Sequence, residues 1–287
     1  SSKWYAYKAY LENHISYSTS CKENVLSYKG YYKDTYDKFD DVGNSTTPTP
    51  SANDGFLKRK KLFAGSKWVY FAINLHTDIT TLRKYIPPGI KMELEFQRNI
   101  TKFLLLSDKS EDNYAVEIDN MKLKVDRIIP SDKVTDFYKK NIENKISPRL
   151  PIDRSLLKTY TITRGLSDLS HYNIITGNQL PDQVIVAIVD HDAHTGTIGK
   201  NPFNFKDYDI SEASLVVNGV HEPQELYKLY KSEGDKVDMY ANFLENTGIS
   251  TDDREIGITM EDYYGGSFII AWDRTNDKCN RFHRHVS

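Results

Sequence analysis

The chain is short of cysteine, of excess positive charge and of long apolar runs, and each shortage removes a class of explanation. Only Cys21 and Cys279 stand among 287 residues. They are far apart and neither has a CxxC partner, so no disulfide framework and no zinc knuckle is expected, and a reducing compartment fits. A formal net charge of −2 argues against binding driven by a phosphate backbone. The densest basic run, Lys58-Arg59-Lys60-Lys61, reads as a solvated approach to a strand, and no sequence-specific nucleic-acid partner is expected. No apolar stretch approaches bilayer length and no basic-plus-apolar leader opens the chain, so the expectation is a soluble cytosolic product with no membrane partner. The chain begins at Ser1-Ser2 without an initiator Met, the start expected of a fragment or processed product.

Catalytic signatures are missing too. There is no GxSxG elbow, no P-loop and no dinucleotide fingerprint, and neither cysteine has a local signature pairing it with a histidine. Gly265-Gly266 after Tyr263-Tyr264 reads as a turn before a strand at 267–272 rather than a phosphate cradle. No enzymatic activity and no cofactor is expected.

What is present is aromatic and β-branched. Twenty tyrosines and twelve phenylalanines, with many short apolar runs and few long helical periods, predict an all-β chain with minor helices. Strand patterns fall at Lys67–Leu75, Lys91–Phe96 (the alternation MELEF), Ile100–Leu106, Ala115–Ile129, Val184–Val189 and Ala213–Val217. The last turns at Asn218-Gly219, a strong hairpin signal. Helices are expected at Trp4–Ile15, where aromatics and Leu11 recur at three-to-four spacing, and at Asp132–Ile146, ended by Pro148 and Pro151. Ile86-Pro87-Pro88-Gly89 breaks the chain. Asp40–Gly55 is a polar, Pro-rich segment expected to be an exposed loop, and Ser107–Asn113 is the candidate domain boundary. The resulting division is residues 1–110 and residues 111–287.

Few residues invite chemistry. His191, Asp192 and His194 are the weak candidates for a metal site, since imidazole and carboxylate ligands can come from one short segment, with His221 or Asp209 as a third ligand. The plainer reading is a strand-exit loop whose polar groups bond the backbone. His283 and His285 near the end of the chain would share one face of a strand, although a frayed terminus explains them as well. His76 and Asp78 invite an acid-base pairing, against the plainer surface hydrogen bond. Asp190, Asp192, Asp207 and Asp209 lack the spacing of an EF-hand.

The aromatics carry more weight. Phe203 and Phe205 alternate around Asn204 and point to one side of a loop, where they anchor it to a core or meet another subunit. Asn201, Pro202 and Tyr208 belong with them as structural anchors. Tyr31 and Tyr32 follow Tyr28 and precede Tyr36 in a polar stretch, and amphipathic aromatics of that kind are enriched in interfaces.

An ordered set of segments carries a resemblance. VIVAIVDHDAHTG, KNPFNFKDYDIS and SLVVNGVHEP resemble the second half of the major capsid proteins of Polinton (Maverick) elements and adintoviruses. KRKKLFAGSKWVYFAINLHTDI with YIPPGIKMELEFQRNITKFLLLSD resembles the end of that family's first barrel, and LLKTYTITRGLSD a segment of its second. KWYAYKAYLENHISYS and YYKDTYDKFDD are similar to its helical excursion and following aromatic loop. ISTDDREIGITMEDYYGGSFIIAWDRTND is similar to the block before its closing strands. The histidines at 191 and 194 depart from the family's acidic, alanine-containing loop.

The resemblance implies a double jelly roll, two antiparallel β-sandwiches, truncated at both ends so that the first strands of one and the last of the other are missing. Residues 1–110 would be the later part of the first jelly roll, with a helical excursion and long loop, and residues 111–287 most of the second. The implied function is structural: a major capsid protein, viral or Polinton-derived, that self-assembles as homotrimeric capsomers into an icosahedral shell. Its implied partners are itself, neighbouring capsomers and a penton-type minor capsid protein. Its place is the virion capsid, after synthesis in the host cytoplasm and assembly there or in the nucleus. Two other classes remain open: a carbohydrate-binding β-sandwich, and a metal-dependent hydrolase built on His191 and His194.

Overall fold

The computed structural model describes residues 3–43, 52–82, 84–87, 90–108, 114–146, 149–166, 168–170, 174, 180–229, 232–249 and 255–275. Expectations for Pro148, Pro88-Gly89, most of the boundary at Ser107–Asn113, Cys279, His283 and His285 lie outside these residues, as does much of the Asp40–Gly55 segment. In chain order the elements are α1 (Lys3–Ser16), α2 (Thr19–Asn24), α3 (Asp54–Phe63), α4 (Thr101–Leu104), α5 (Asp132–Glu143), β1 (Gln183–Ala187) and α6 (His191–Thr195). They continue with β2 (Glu212–Val217), β3 (Val220–Lys228), α7 (Glu233–Asn246), α8 (Met260–Tyr264) and β4 (Ile269–Asp273).

The all-β expectation is overturned. Helix makes up 31% of the chain and strand 11%, which is not a double jelly roll. The named strands form two separate two-stranded antiparallel pairs, β1 with β4 and β2 with β3. The reason lies in pairing. Lys67–Leu75, Lys91–Phe96 and Ala115–Ile129 have strand-like composition but enter no β-ladder among the described residues, and a strand exists only where a neighbour takes up its backbone groups.

Three further expectations change. Ile100–Leu106 contains α4 rather than a strand, and Phe103 is buried from it. Lys58–Lys61 lies in α3 rather than before a strand. There Asn53 caps the helix by accepting from the Phe56 N–H at 3.2 Å, Asp54 occupies the first turn, and the basic residues fall toward the C-terminal end, where the helix dipole favours them. The same helix takes up Asp54 and Gly55, the end of the expected loop.

Other features match their patterns. α1 and α5 cover the two expected helices, β1 covers most of 184–189, and β2 and β3 form a hairpin turning through Asn218 and Gly219, both with positive φ as that turn requires.

The chain forms two compact units. Unit 1 comprises residues 1–76, 97–114 and 157–287, and unit 2 comprises residues 77–96 and 115–156. The expected division at residue 110 falls inside a segment of unit 1. Unit 2 holds α5 and long extended segments, with Asp78 accepting from the Ser155 N–H at 3.4 Å.

Unit 1 contains the core. α7 buries Met239, Phe243 and Asn246, spaced four and three residues apart on one face, and starts at Ser232, whose hydroxyl accepts from the Asp235 N–H. β4 packs against α7 and buries Ile269, Ile270, Ala271 and Trp272 in succession, so both of its faces are covered. α8 begins with a reciprocal capping box between Thr259 and Asp262, and the Asp262 carboxylate also holds Lys33 at 2.6 Å.

Candidate functional site

Of the residues singled out from sequence, Phe203 and Phe205 meet α1 at the loop 201–205. Tyr7, Tyr10 and His14 lie three and four residues apart on α1 and so share a face. Phe203 stacks on Tyr10 with ring centroids 4.4 Å apart and meets Tyr7 edge-on at 5.6 Å. Phe205 meets Tyr10 edge-on at 5.9 Å and is 2% exposed. Its backbone is fixed as well: its N–H donates to Gly266 O at 2.9 Å, and its carbonyl accepts from the Phe268 N–H at 3.1 Å. Of the two options read from sequence for this pair, the structure displays anchoring within the chain.

Polar bonds set the loop that carries these rings. The Asp40 carboxylate accepts from the Asn201 N–H at 2.6 Å and from Asn204 Nδ2 at 2.7 Å. Asn201 Oδ1 accepts from the Phe203 N–H at 2.9 Å, and its Nδ2 donates to Phe39 O at 3.3 Å. Asn201 and Pro202 are both buried, and the charge-assisted bond to Asp40 makes the burial of the polar Asn201 tolerable. Tyr208, by contrast, is exposed and sits at φ 50° beside Asp209 at 56°. Gly266 closes the loop's far side at φ +137°; a Cβ there would lie 2.4 Å from the Phe39 ring, so only glycine fits.

A buried polar chain continues from the aromatic face. His14 is 3% exposed, and its ring joins the Tyr31 hydroxyl at 3.1 Å and the Ser267 hydroxyl at 3.0 Å. Burial, followed by the nearby Lys22 and Lys33 charges, holds its pKa well below the usual histidine value. Lys22 donates to His14 O and, at 2.6 Å, to Ile256 O. Burial, reinforced by Lys33 and opposed by Asp262, lowers the Lys22 pKa to about 7. Burial also raises the Tyr10 and Tyr31 hydroxyls, with carboxylate charge from Asp34 adding to it. Tyr31, expected at an interface, is thus engaged within the chain, while the Tyr32 carbonyl accepts from Arg59 at 2.8 Å.

The weak metal candidates do not assemble a metal site. His191, Asp192 and His194 lie on the short helix α6, where Asp190 caps by accepting from the Asp192 N–H. Lys200 occupies both carboxylates, 2.9 Å from Asp190 and 3.0 Å from Asp192. The lysine hydrogen bonds keep Asp190 below the usual carboxylate pKa despite partial burial. His194 stacks on Tyr7 at 5.7 Å, with its Nδ1 3.2 Å from the Tyr7 hydroxyl. Among the described residues no three His, Cys, Asp or Glu side chains group in a way that could hold a metal. His76 pairs with Glu12 at 2.6 Å rather than with Asp78. No helix among the described residues is long and apolar enough to cross a membrane.

Sequence reasoning missed His14, Lys22 and Asp40. Only His14 left a trace, through its spacing from Tyr7 and Tyr10. The arrangement as a whole offers rigid anchoring: the rings fill space, Asp40 fixes the loop, and the buried base pair is bonded on several sides.

Comparison with known proteins adds one relative. The uncharacterized protein F54H12.2 of Caenorhabditis elegans is 23% identical over 245 residues, which cover 85% of this chain and 55% of that protein. The chain therefore spans little more than half the length of the curated relative it matches. No family model matches the chain, and no solved structure does.

Proposed function

We propose that the chain is a structural subunit that works by self-association, in the capsid-forming role that its resemblance to Polinton and adintovirus major capsid proteins implies. One observation carries the reading. Extended segments outside any β-ladder present large apolar side chains to solvent, among them Tyr70 (93% exposed), Ile129 (85%) and Val125 (70%). Large apolar side chains left in water favour association, and backbone lying outside a ladder is a template for pairing with another chain.

Association through such segments buries the apolar surface and adds backbone hydrogen bonds in one step. Many weak lateral contacts of this kind give a shell its stability by multivalency. Trimeric capsomers, contact with neighbouring capsomers and a penton-type protein, and a place in the virion capsid belong to this reading. The double jelly-roll geometry does not. The anchored loop at 201–205 serves as scaffold in it, holding unit 1 rigid while the extended segments make contacts.

The test is the molar mass of the full natural reading frame, measured by size exclusion with light scattering. A stable trimer or larger species is expected. A clean monomer at micromolar concentration overturns the reading.

A further inference from the structure

α5 in unit 2 has an apolar face and buries none of its residues. At about 100° per residue, Val134, Phe137, Tyr138 and Ile142 fall on one side of the helix. All four are exposed, Phe137 at 62% and Ile142 at 69%. A helix of this length is marginal in water by itself and gains its stability from burying such a face. α7 meets that demand with Met239 and Phe243, whereas α5 leaves it open.

The charges around the face say what covers it. Asp132, Asp136 and Glu143 gather on the side opposite Val134. Lys133 and Lys140, seven residues apart, border the apolar face beside Phe137, and Lys139 lies past Ile142 on the other flank. Lys139 is 3.9 Å from Asp136, but both side chains are exposed and a pair of that kind restrains the lysine little. A second α5 laid on this face would set lysine flank against lysine flank, so another copy of the helix is a poor partner. An anionic surface is complementary to both flanks at once. The wider segment keeps the sign: between residues 127 and 145 five basic residues stand against three acidic ones.

We propose that α5 docks on a membrane surface rich in anionic phospholipid. The helix lies in the plane of the interface, with Phe137 and Ile142 at the acyl boundary and Tyr138 at the level of the headgroups. Its three lysines reach the lipid headgroups while the acidic side faces water. Lysine supplies every flanking charge; it is depleted from protein–protein interfaces, where arginine prevails, and its flexible point charge suits a fluid anionic surface. The expectation of no membrane partner rests on the lack of a bilayer-length run, which a helix lying in the interface does not need. This inference stands apart from the self-association reading, which rests on Tyr70, Val125 and Ile129 in other segments.

The test is flotation of the full chain with phosphatidylcholine vesicles made with and without phosphatidylserine, at low and at high salt. Binding to the phosphatidylserine vesicles alone, weakened by salt, is expected. Phe137→Ala with Ile142→Ala should weaken it by about tenfold or more, the loss expected when two apolar side chains no longer leave water. Lys133→Gln with Lys140→Gln should weaken it about 25-fold, fivefold for each lysine near a charged surface. All four positions are exposed and the new residues are good helix formers, so the variants keep their fold, which far-UV circular dichroism verifies. No flotation, equal flotation with the vesicles lacking phosphatidylserine, or unchanged flotation of either variant overturns the proposal. Capture of poly-L-glutamate in place of vesicles would overturn it too, by pointing to an acidic protein.

Discussion

Phe205 in unit 1 is 2% exposed and Ile129 in unit 2 is 85% exposed, the first in a loop read from sequence as an anchor or a subunit contact and the second in a stretch read as a strand. Around Phe205 the chain supplies partners from four places: the α1 tyrosines, the Gly266 turn, the Phe268 backbone and the Asp40 carboxylate that fixes the loop. Around Ile129 no β-ladder forms among the described residues. The contrast teaches that apolar pattern creates a demand for burial, and only tertiary neighbours meet it. Where the chain meets the demand itself the result is a core. Where it does not, the surface is left for another molecule.

The strongest way to break this comparison is to remove one side chain from each region. Phe205→Ala should cost about 3–5 kcal/mol of folding stability, the loss expected when a fully buried ring leaves a cavity. Phe137→Ala, on the exposed face of α5 in unit 2, should stay within about 0.5 kcal/mol. Urea midpoints of the two variants check this, and similar losses would mean that unit 2 has a packed core of its own.

A smaller effect sharpens the account of unit 1 through pH. His14 and Lys22 both have lowered folded-state pKa values, so the unfolded chain binds more protons wherever the two states differ. Stability then rises with pH. For His14 the loss sets in as pH falls below about 6.5, the usual histidine value; for Lys22 the gain runs upward from about 7 toward 10.5. The raised Tyr10 and Tyr31 hydroxyls act in the opposite direction above pH 10, where the unfolded tyrosines ionise first. Scanning calorimetry should show Tm increasing by about 5 °C or more between pH 5 and pH 9. A His14→Gln variant should flatten the acid limb alone.

Smaller again is the loss at the cap of α8. Asp262→Asn removes the Lys33 ion pair and weakens the reciprocal bond to Thr259, at a cost of about 1 kcal/mol. Chemical denaturation checks it, and a loss well above that size would mean that Asp262 supports the neighbouring Lys22 as well.

Legibility from sequence followed the range of the interactions. The hairpin at Asn218-Gly219 was readable because its turn chemistry is local, and α1 because its aromatic spacing is local. α3 was missed because its cap, Asn53, hides at the end of a Pro-rich stretch, and α4 because four residues carry too little periodicity. The extended stretches at 67–75, 91–96 and 115–129 had the composition of strands, but pairing is a property of two segments and no one segment reports it. In the candidate site, Phe203 and Phe205 stood out as a pair by alternation alone. Asp40, which fixes their loop from 161 residues away, and Lys22, whose amine meets a carbonyl 234 residues on, left no pattern to find.

The self-association claim is tested most directly by sedimentation velocity on the full natural reading frame, side by side with the same chain carrying Tyr70→Lys, Val125→Lys and Ile129→Lys. All three positions are exposed, so the substituted chain keeps its fold. The account predicts a trimer or larger species for the natural chain and a monomer for the substituted one. A natural chain that sediments as a monomer, or a substituted chain that associates as well as the natural one, would contradict it.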